Sequence, residues 1–330
     1  MEKKKAVLLD VSAIMYRAYF ANMNFRTKTE PTGAVYGFVN TLMSIIKEFS
    51  PDYIGAAFDV KRASLKRSEI YKDYKAQRES APEDLIAQMA RIEELLDCYN
   101  IERFKIEGYE ADDVLGTLAK NLSAQGVEVY VITGDKDLAQ ILDENINIAL
   151  LGKGEGGDKF KIIRTDEDVI EYLGVPSKKI PDLFGLIGDS SDGIPGVRKI
   201  GPKKAIPMLE KYETLEGIYE NIDKLTEIAG IGKSLVNNLV EDKEIAFMSR
   251  ELAIICQDVP LEFNLENLNY DIDNIKLLEL FKVLEFKALI KKMGLENGAE
   301  KTQEIEKPKR VSKERTFKVV EGKADIKDMV

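Results

Sequence analysis

Short apolar runs that end on an acid recur along the first half of the chain. "AVLLD" ends at Asp10, "YIGAAFD" at Asp59, and "VEVYVITGDKD" passes through Gly134 to Asp135 and Asp137. Runs of this kind read as buried strands. Between them, apolar positions recur at helical spacing over 33–49, 83–99 and 111–124, and Pro82-Glu83-Asp84 gives the second stretch a helix start with acids in its first turn. Strands alternating with helices predict an α/β fold with a mostly parallel sheet flanked by helices. In such sheets functional sites lie beyond the carboxyl ends of the strands, and the acids sit at those ends.

After about residue 175 the strand pattern stops. "GIPGVRKIGPKKAIPMLEKY" and "LTEIAGIGKSLVNNLVEDK" are helical pieces joined by Gly-rich turns, Gly196–Gly201 and Ala229–Lys233, and 274–293 adds a further helical stretch. Residues 294–316 are polar, without apolar periodicity, and read as a linker. "TFKVVEG" within 317–330 looks like a strand opening a following domain or, equally, a frayed tail. The expected division is an α/β core over 1–175, carrying a basic segment at about 61–82, and a helical lobe over 176–293 with a Gly-rich element joining two helices at about 185–212.

Composition narrows the chemistry. The chain has 330 residues, 44% of them hydrophobic and 32% charged, as expected of a folded globular protein. No apolar run is long enough to span a membrane, the N-terminal apolar stretch is too short for a signal peptide, and the two cysteines are far apart in sequence. A cytoplasmic setting follows as the expectation. There is no histidine, which removes Ser-His-Asp and Cys-His catalysis and His-containing zinc sites. The net charge of −10 weighs lightly against a nucleic-acid partner, but a sum says nothing of distribution.

The acids invite ordinary explanations first. Asp10 can cap the helix that follows it. Glu110, Asp112 and Asp113 in "GYEADDVLGTLA" sit at a helix start, where the helix dipole favours acids. Asp59, Asp135, Asp137, Asp189 and Asp192 can be turn or loop residues. Together these readings weaken, because five segments deliver acids to one edge of the predicted sheet. Like charges ~4 Å apart at an effective dielectric near 20 repel by roughly 4 kcal/mol a pair. All-oxygen ligation of Mg²⁺ or Mn²⁺ relieves that repulsion, and two such ions can stabilise the attacking and leaving oxygens of a phosphoryl displacement.

Residues 61–78, "KRASLKRSEIYKDYKAQR", carry seven Lys or Arg against two acids and include Tyr71 and Tyr74. Cations beside aromatics suit a phosphate backbone and stacked bases; a solvated helix face is the plain alternative. In "GVRKIGPKK", Gly196 and Gly201 allow close backbone approach, and Arg198, Lys199, Lys203 and Lys204 add counter-charge for a sequence-independent phosphate contact.

"LLDVSAIMYRAYFA", "AAFDV", "YKAQR", "GYEADDVLGTLA", "ITGDKDLAQIL" and "GDSSDGIPGVRKIGPKKA" closely resemble, in order and over about 4–292, the 5′ nuclease (flap endonuclease) family, in the branch formed by the N-terminal 5′→3′ exonuclease domains of bacterial DNA polymerases I. The resemblance implies a PIN-like core, a helical arch over the active site and a helix–three-turn–helix DNA clamp. It implies structure-specific hydrolysis of DNA at 5′ ends and flaps, RNA-primed strands included, in replication and repair. It assigns Asp10, Asp59, Glu110 and Asp112 to one metal ion and Asp113, Asp135, Asp137, Asp189 and Asp192 to the surroundings of a second. Lys75 and Arg78 match arch residues that engage the scissile phosphate, Arg67 is the nearest match to an arch arginine, and Gly196–Gly201 match a clamp that in the family holds a potassium ion. A monomer, nucleoid-associated and continuing into a polymerase region, is the implied whole. "LKRSEIY" departs from the family's arch by one extra residue and the lack of His, and Gly193 stands where Asn is common. The alternatives are a plain PIN-type ribonuclease, which needs neither basic arch nor helical lobe, and a non-catalytic DNA-binding scaffold whose acids hold structural ions. Val11-Ser12 after Asp10 disfavours an Asp-x-Asp phosphatase.

Overall fold

The structure is a computed structural model that describes residues 3–152 and 159–297. Five strands run parallel: β1 (Lys5–Asp10), β2 (Tyr53–Ala57), β3 (Glu102–Phe104), β4 (Glu128–Thr133) and β5 (Ile146–Leu151). A sixth, β6 (Phe160–Ile163), pairs antiparallel with β5. The order across the sheet is β3-β2-β1-β4-β5-β6. The chain winds one way from β1 to β3 and the other way from β4, so the topological switch point lies between β1 and β4, where Leu9 pairs with Ile132. The crevice beyond their carboxyl ends is where an open α/β sheet holds a ligand.

The period-2 alternation of the strands sorts side chains to two cores. Ala6 and Leu8 join Val129, Val131, Ile146 and Ile148 on one face, while Val7 and Leu9 join Tyr130 and Ile132 on the other. Helices α1 (Val11–Ala21) and α2 (Gly33–Phe49) cover the second face. The segment expected as the arch holds only short helical turns, among them α3 (Arg67–Ile70), and its Leu65 and Tyr74 pack on Ile194 and Leu252.

The single helix expected over 83–99 is two, α4 (Glu83–Ile86) and α5 (Met89–Cys98). The break serves a neighbour. The Gln88 side chain is buried and accepts from the N–H groups of Ala34 (2.8 Å) and Val35 (3.3 Å), at the start of α2, where the N-cap residue Thr32 makes no side-chain bond. Helix α6 (Ala111–Ser123) covers the first face.

Beyond β6, α7 (Asp166–Leu173) leads into the helical half: α8 (Ile180–Ile187), α9 (Pro202–Tyr212), α10 (Leu215–Glu220), α11 (Lys233–Glu241) and α12 (Lys243–Ala253). Their apolar faces continue the core of the first sheet face. The chain then crosses α6. A Cβ on Gly116 would lie 2.9 Å from the Ile255 side chain, and the Val259 N–H donates to Thr117 Oγ1 (3.1 Å). The stretch 274–293 is also two helices, α13 (Asn274–Val283) and α14 (Lys287–Lys292), which return to the second face. The linker expected from 294 starts later, since Leu295 opens a short helical turn to Asn297 and is buried on the second face; the rest of it and the 317–330 segment lie outside the described residues. No helix among the described residues is long and apolar enough to cross a membrane.

Candidate active site

The acids gather at the switch point. Asp10 ends β1 and is buried. Its Oδ1 accepts from the Ala13 N–H (2.9 Å), so it does cap α1, while its Oδ2 accepts from Thr133 Oγ1 (2.8 Å) at the end of β4. Thr133 Oγ1 in turn accepts from the Asp135 N–H (3.0 Å), tying the β4 loop to Asp10. Thr133 went unremarked in the sequence; its signal was the threonine preceding Gly134-Asp135. Asp59, exposed just past β2, accepts from the Ala111 N–H (3.0 Å) and so joins the β2 end to the start of α6. Asp189 and Asp192 come from the turn between α8 and α9, and Asp189 holds Ser191 through its N–H (2.9 Å) and hydroxyl (2.8 Å).

Electrostatics show which carboxylates face one another. Burial and the charge of Asp59 push Asp10 up to about 7, against the bonds from Ala13 and Thr133. Burial, then Asp135, Asp10 and Asp59, raise Asp112 well above the usual carboxylate range. Asp135 is raised by burial, with Asp192 and Asp189 adding to it. Burial, Asp135 and Asp189 push Asp137 up to about 8. Asp10, Asp59, Asp112, Asp135, Asp137, Asp189 and Asp192 thus share one field. Asp137 Oδ1 is buried without a hydrogen-bond partner.

Cations from the 61–78 segment reach into this field. Lys75 Nζ pairs with Glu110 Oε1 and lies 3.4 Å from Asp192 Oδ2; Arg78 pairs with Asp192 Oδ1. The Lys75 N–H also donates to the Asp192 carbonyl (2.7 Å) from a left-handed backbone, φ +54°. Burial works against the Glu110 charge, but Lys75 and Arg67 outweigh it and hold Glu110 below its ordinary value. Among the described residues no three acids form a ready ligand shell, and Glu110 and Asp192 are turned toward these cations. The donor set is nonetheless all oxygen and crowded, with Asp10 and Glu110 buried and most of the others half-buried, and it includes an orphaned acceptor, so it suits hard divalent cations.

Three residues expected at the site are engaged within the protein. The Asp113 oxygens accept from Arg67 Nη1 (2.6 Å) and Nη2 (2.7 Å), from the Cys256 N–H (2.9 Å) and from the Glu110 N–H (3.1 Å). Arg67 is not free for DNA, since its side chain is 12% exposed and bound within the protein. Tyr74 is not a stacking platform: it is buried, and its hydroxyl donates to Glu110 Oε2 (2.7 Å). Tyr71 is half-buried in the same small cluster.

The clamp candidate is the turn between α8 and α9. Gly188 has φ +68°, and a Cβ there would lie 2.5 Å from the Gly196 N and the Ile194 carbonyl, so the two arms of the turn pass with no room for side chains. A Cβ on Gly196 would overlap the Ile187 carbonyl group. Gly201 caps α9, Lys203 is exposed and Lys204 half-buried in its first turn, and Lys199 is exposed at φ +63°. Arg198 is paired with Asp242 Oδ2 (2.9 Å) and with Glu241, at the α11–α12 junction. Gly193 has φ +70°, a conformation that Gly and Asn both accept, and its missing Cβ leaves room for the Gln77 side chain of the arch segment.

Two family models tile this architecture: 5′–3′ exonuclease, N-terminal resolvase-like domain, over residues 5–174, and 5′–3′ exonuclease, C-terminal SAM fold, over 175–276. The chain belongs to the 5′–3′ exonuclease family. Curated relatives include DNA polymerase I of Caldicellulosiruptor bescii, 39% identical over 293 residues that cover 88% of this chain and 34% of that protein. DNA polymerase I of Bacillus subtilis is 39% identical over 308 residues, 92% of this chain and 34% of that one. The chain therefore spans about a third of the length of these relatives. In fold it is similar to T5 5′-exonuclease with bound zinc (TM-score 0.60, 22% identity, 77% of this chain and 90% of that one). It is also similar to the catalytic core of Rad2 in complex with a DNA substrate (TM-score 0.59, 18% identity, 89% and 92%). In this chain the segment "LKRSEIY" holds Arg67 as an internal anchor, and Gly193 is matched to Gln77.

Proposed function

We propose that the chain is a divalent-metal-dependent, structure-specific 5′→3′ exonuclease and 5′ flap endonuclease, acting on DNA with 5′ ends or flaps, RNA-primed strands included. The observation that carries this reading is the crowded, largely half-buried carboxylate field at the β1/β4 switch point with Lys75 and Arg78 reaching into it. Asp10, Asp59, Glu110 and Asp112 would hold one Mg²⁺ or Mn²⁺, and Asp135, Asp137, Asp189 and Asp192 a second. When bound, the pair neutralises developing charge and lowers the pKa of a water.

The chain's own residues do the rest. Thr133 fixes the Asp10 carboxylate, and Tyr74 orients Glu110. Lys75 and Arg78 carry the charge that can pass from Glu110 and Asp192 to the scissile phosphate. The clamp, Gly196–Gly201 with Lys199, Lys203 and Lys204, receives the duplex backbone through N–H groups and cations, and a potassium ion on the carbonyls of that turn would serve the same contact. A fixed distance from clamp to carboxylates selects the cut by structure, not by sequence. In this reading 1–175 is the nuclease core, 176–293 the DNA-binding lobe, and the chain works as a monomer joined to a polymerase region in the bacterial cytoplasm, at the nucleoid.

The test is cleavage of a 5′-labelled flap substrate in Mg²⁺ by wild type, Asp10→Asn and Asp135→Asn. Wild type is expected to release a short 5′ product at the junction, and each variant to lose on the order of 100-fold or more in rate. Full cleavage by both variants would sink the metal assignment.

A further inference from the structure

Arg67 lies where three parts of the molecule meet. Its Nε donates to the Leu252 carbonyl (2.9 Å), Nη1 to Glu110 Oε2 (3.1 Å) and Asp113 Oδ2 (2.6 Å), and Nη2 to Asp113 Oδ1 (2.7 Å) and the Ile254 carbonyl (2.6 Å). Every N–H that a guanidinium has is engaged. The planar fork matches the Asp113 carboxylate in the two-bond geometry that a lysine cannot reproduce. The two carbonyls belong to Leu252 in the last turn of α12 and to its C-cap residue Ile254, the end of a helix that attracts a cation.

The other contacts of α12 give this knot a direction. Just before α12 begins, Asp242 accepts from the Arg198 N–H (3.0 Å) and Nε (2.9 Å), within the clamp turn. Further along, Ser249 Oγ donates to the Pro195 carbonyl, also in that turn. At its far end α12 holds Arg67. A rigid helix of ~1.5 Å rise per residue thus runs from the clamp turn to the base of the arch segment. There Arg67 also grips Glu110 and Asp113 at the head of α6.

We propose that Arg67 is a positioning residue that couples the seating of duplex DNA on the clamp, through α12, to the placement of the arch segment and of Glu110. The proposal rests on the nuclease reading above for its ligand and its chemistry. It adds a two-ended element whose ends can each be altered alone. Arg67 touches no substrate in this arrangement; it acts through α3 and α6.

The experiment compares wild type, Arg67→Lys and Ser249→Ala. Three quantities are read: duplex affinity in Ca²⁺, amide exchange of residues 66–78 with and without a blunt duplex, and the single-turnover rate of a bound flap in Mg²⁺. In wild type the duplex slows exchange across 66–78. Arg67→Lys keeps duplex affinity within about 2-fold, loses that protection and cuts the bound-state rate by roughly 10- to 100-fold, as small misplacements of catalytic groups do. Ser249→Ala, remote from the acids, weakens the same protection and so reads the coupling even if Arg67→Lys folds poorly. The proposal is overturned by a wild-type arch indifferent to the duplex, by full protection in both variants, or by an Arg67→Lys whose only defect is lost affinity. Absence of cleavage by wild type would defeat the nuclease reading instead, and the exchange data would still score the coupling.

Discussion

Asp10 divides its two oxygens between two neighbours, the α1 backbone and Thr133, and still holds its proton up to about pH 7. Asp137 does so up to about 8. In an unfolded chain an aspartate titrates near ~3.9, so the folded protein binds more protons than the unfolded one between these values. Stability from these groups is full below about pH 4 and is lost as pH rises through 7 to 8. Glu110 is shifted the other way, and its contribution is already present throughout that window. In chelator the melting temperature should therefore fall from pH 5 to pH 8, and Asp137→Asn should flatten the fall. Mg²⁺ should restore stability at pH 8, by ~2.7 kcal/mol at 100 times its dissociation constant. If Mg²⁺ left the melting temperatures of wild type and Asp112→Asn alike unchanged, carboxylate crowding would need another cause. Many of the acids were legible, since Asp10, Asp59 and Asp135 follow apolar runs and Asp112 and Asp113 open a helix, whereas Asp189 and Asp192 lie in a turn. The fates of Asp113, Arg67 and Tyr74 were not: Arg67 finds Leu252 and Ile254, and no local pattern in "LKRSEIY" announces partners that far along the chain.

At the scale of elements, the acid-ended runs marked β1, β2 and β4, and helical spacing marked α2 and α6 almost to the residue. Three strands gave no such signal. "ERF" in β3 is short and polar, while "INIALL" and "FKII" carry no terminal acid. The split of 83–99 was hidden because Gln88 is a good helix former whose side chain is needed elsewhere. It substitutes for a cap on α2, a tertiary demand that overrides propensity. Gln88→Ala should leave buried N–H groups of α2 unsatisfied and cost about 1–3 kcal/mol, measured by urea denaturation; a change within experimental error would show that water takes over the site. In the turn between α8 and α9 the reading of the glycines held in part: the crossing of the two arms excludes a side chain at Gly196, as expected, and at Gly188, which carried no signal, whereas a Cβ on Gly201 would meet open space.

The whole molecule is acidic, with a net charge of −10, yet its cations are placed with care. Several of the basic residues of 61–78 are paired within the protein: largely buried Arg67 with Asp113 and Lys75 with Glu110, half-exposed Arg78 with Asp192, and exposed Arg62 with the carbonyls of Tyr74 and Lys72. Duplex affinity should then depend chiefly on the clamp. Lys203→Ala should weaken binding evenly across sequences and lower the slope of log affinity against log salt by about 1. An unchanged slope would place the duplex elsewhere. The path of residues 254–259 across α6 has a consequence for autonomy. The core beneath the first face of the sheet is continuous with α8, α9 and α10, and Gly116, Thr117 and Asp113 are completed by chain that comes after the helical half. Although two family models divide the sequence near residue 175, neither half owns a finished interior. The chain should melt in one cooperative step by calorimetry, and a fragment ending at 175 should fail to fold, because the fold stores in its last third what its first half needs to close.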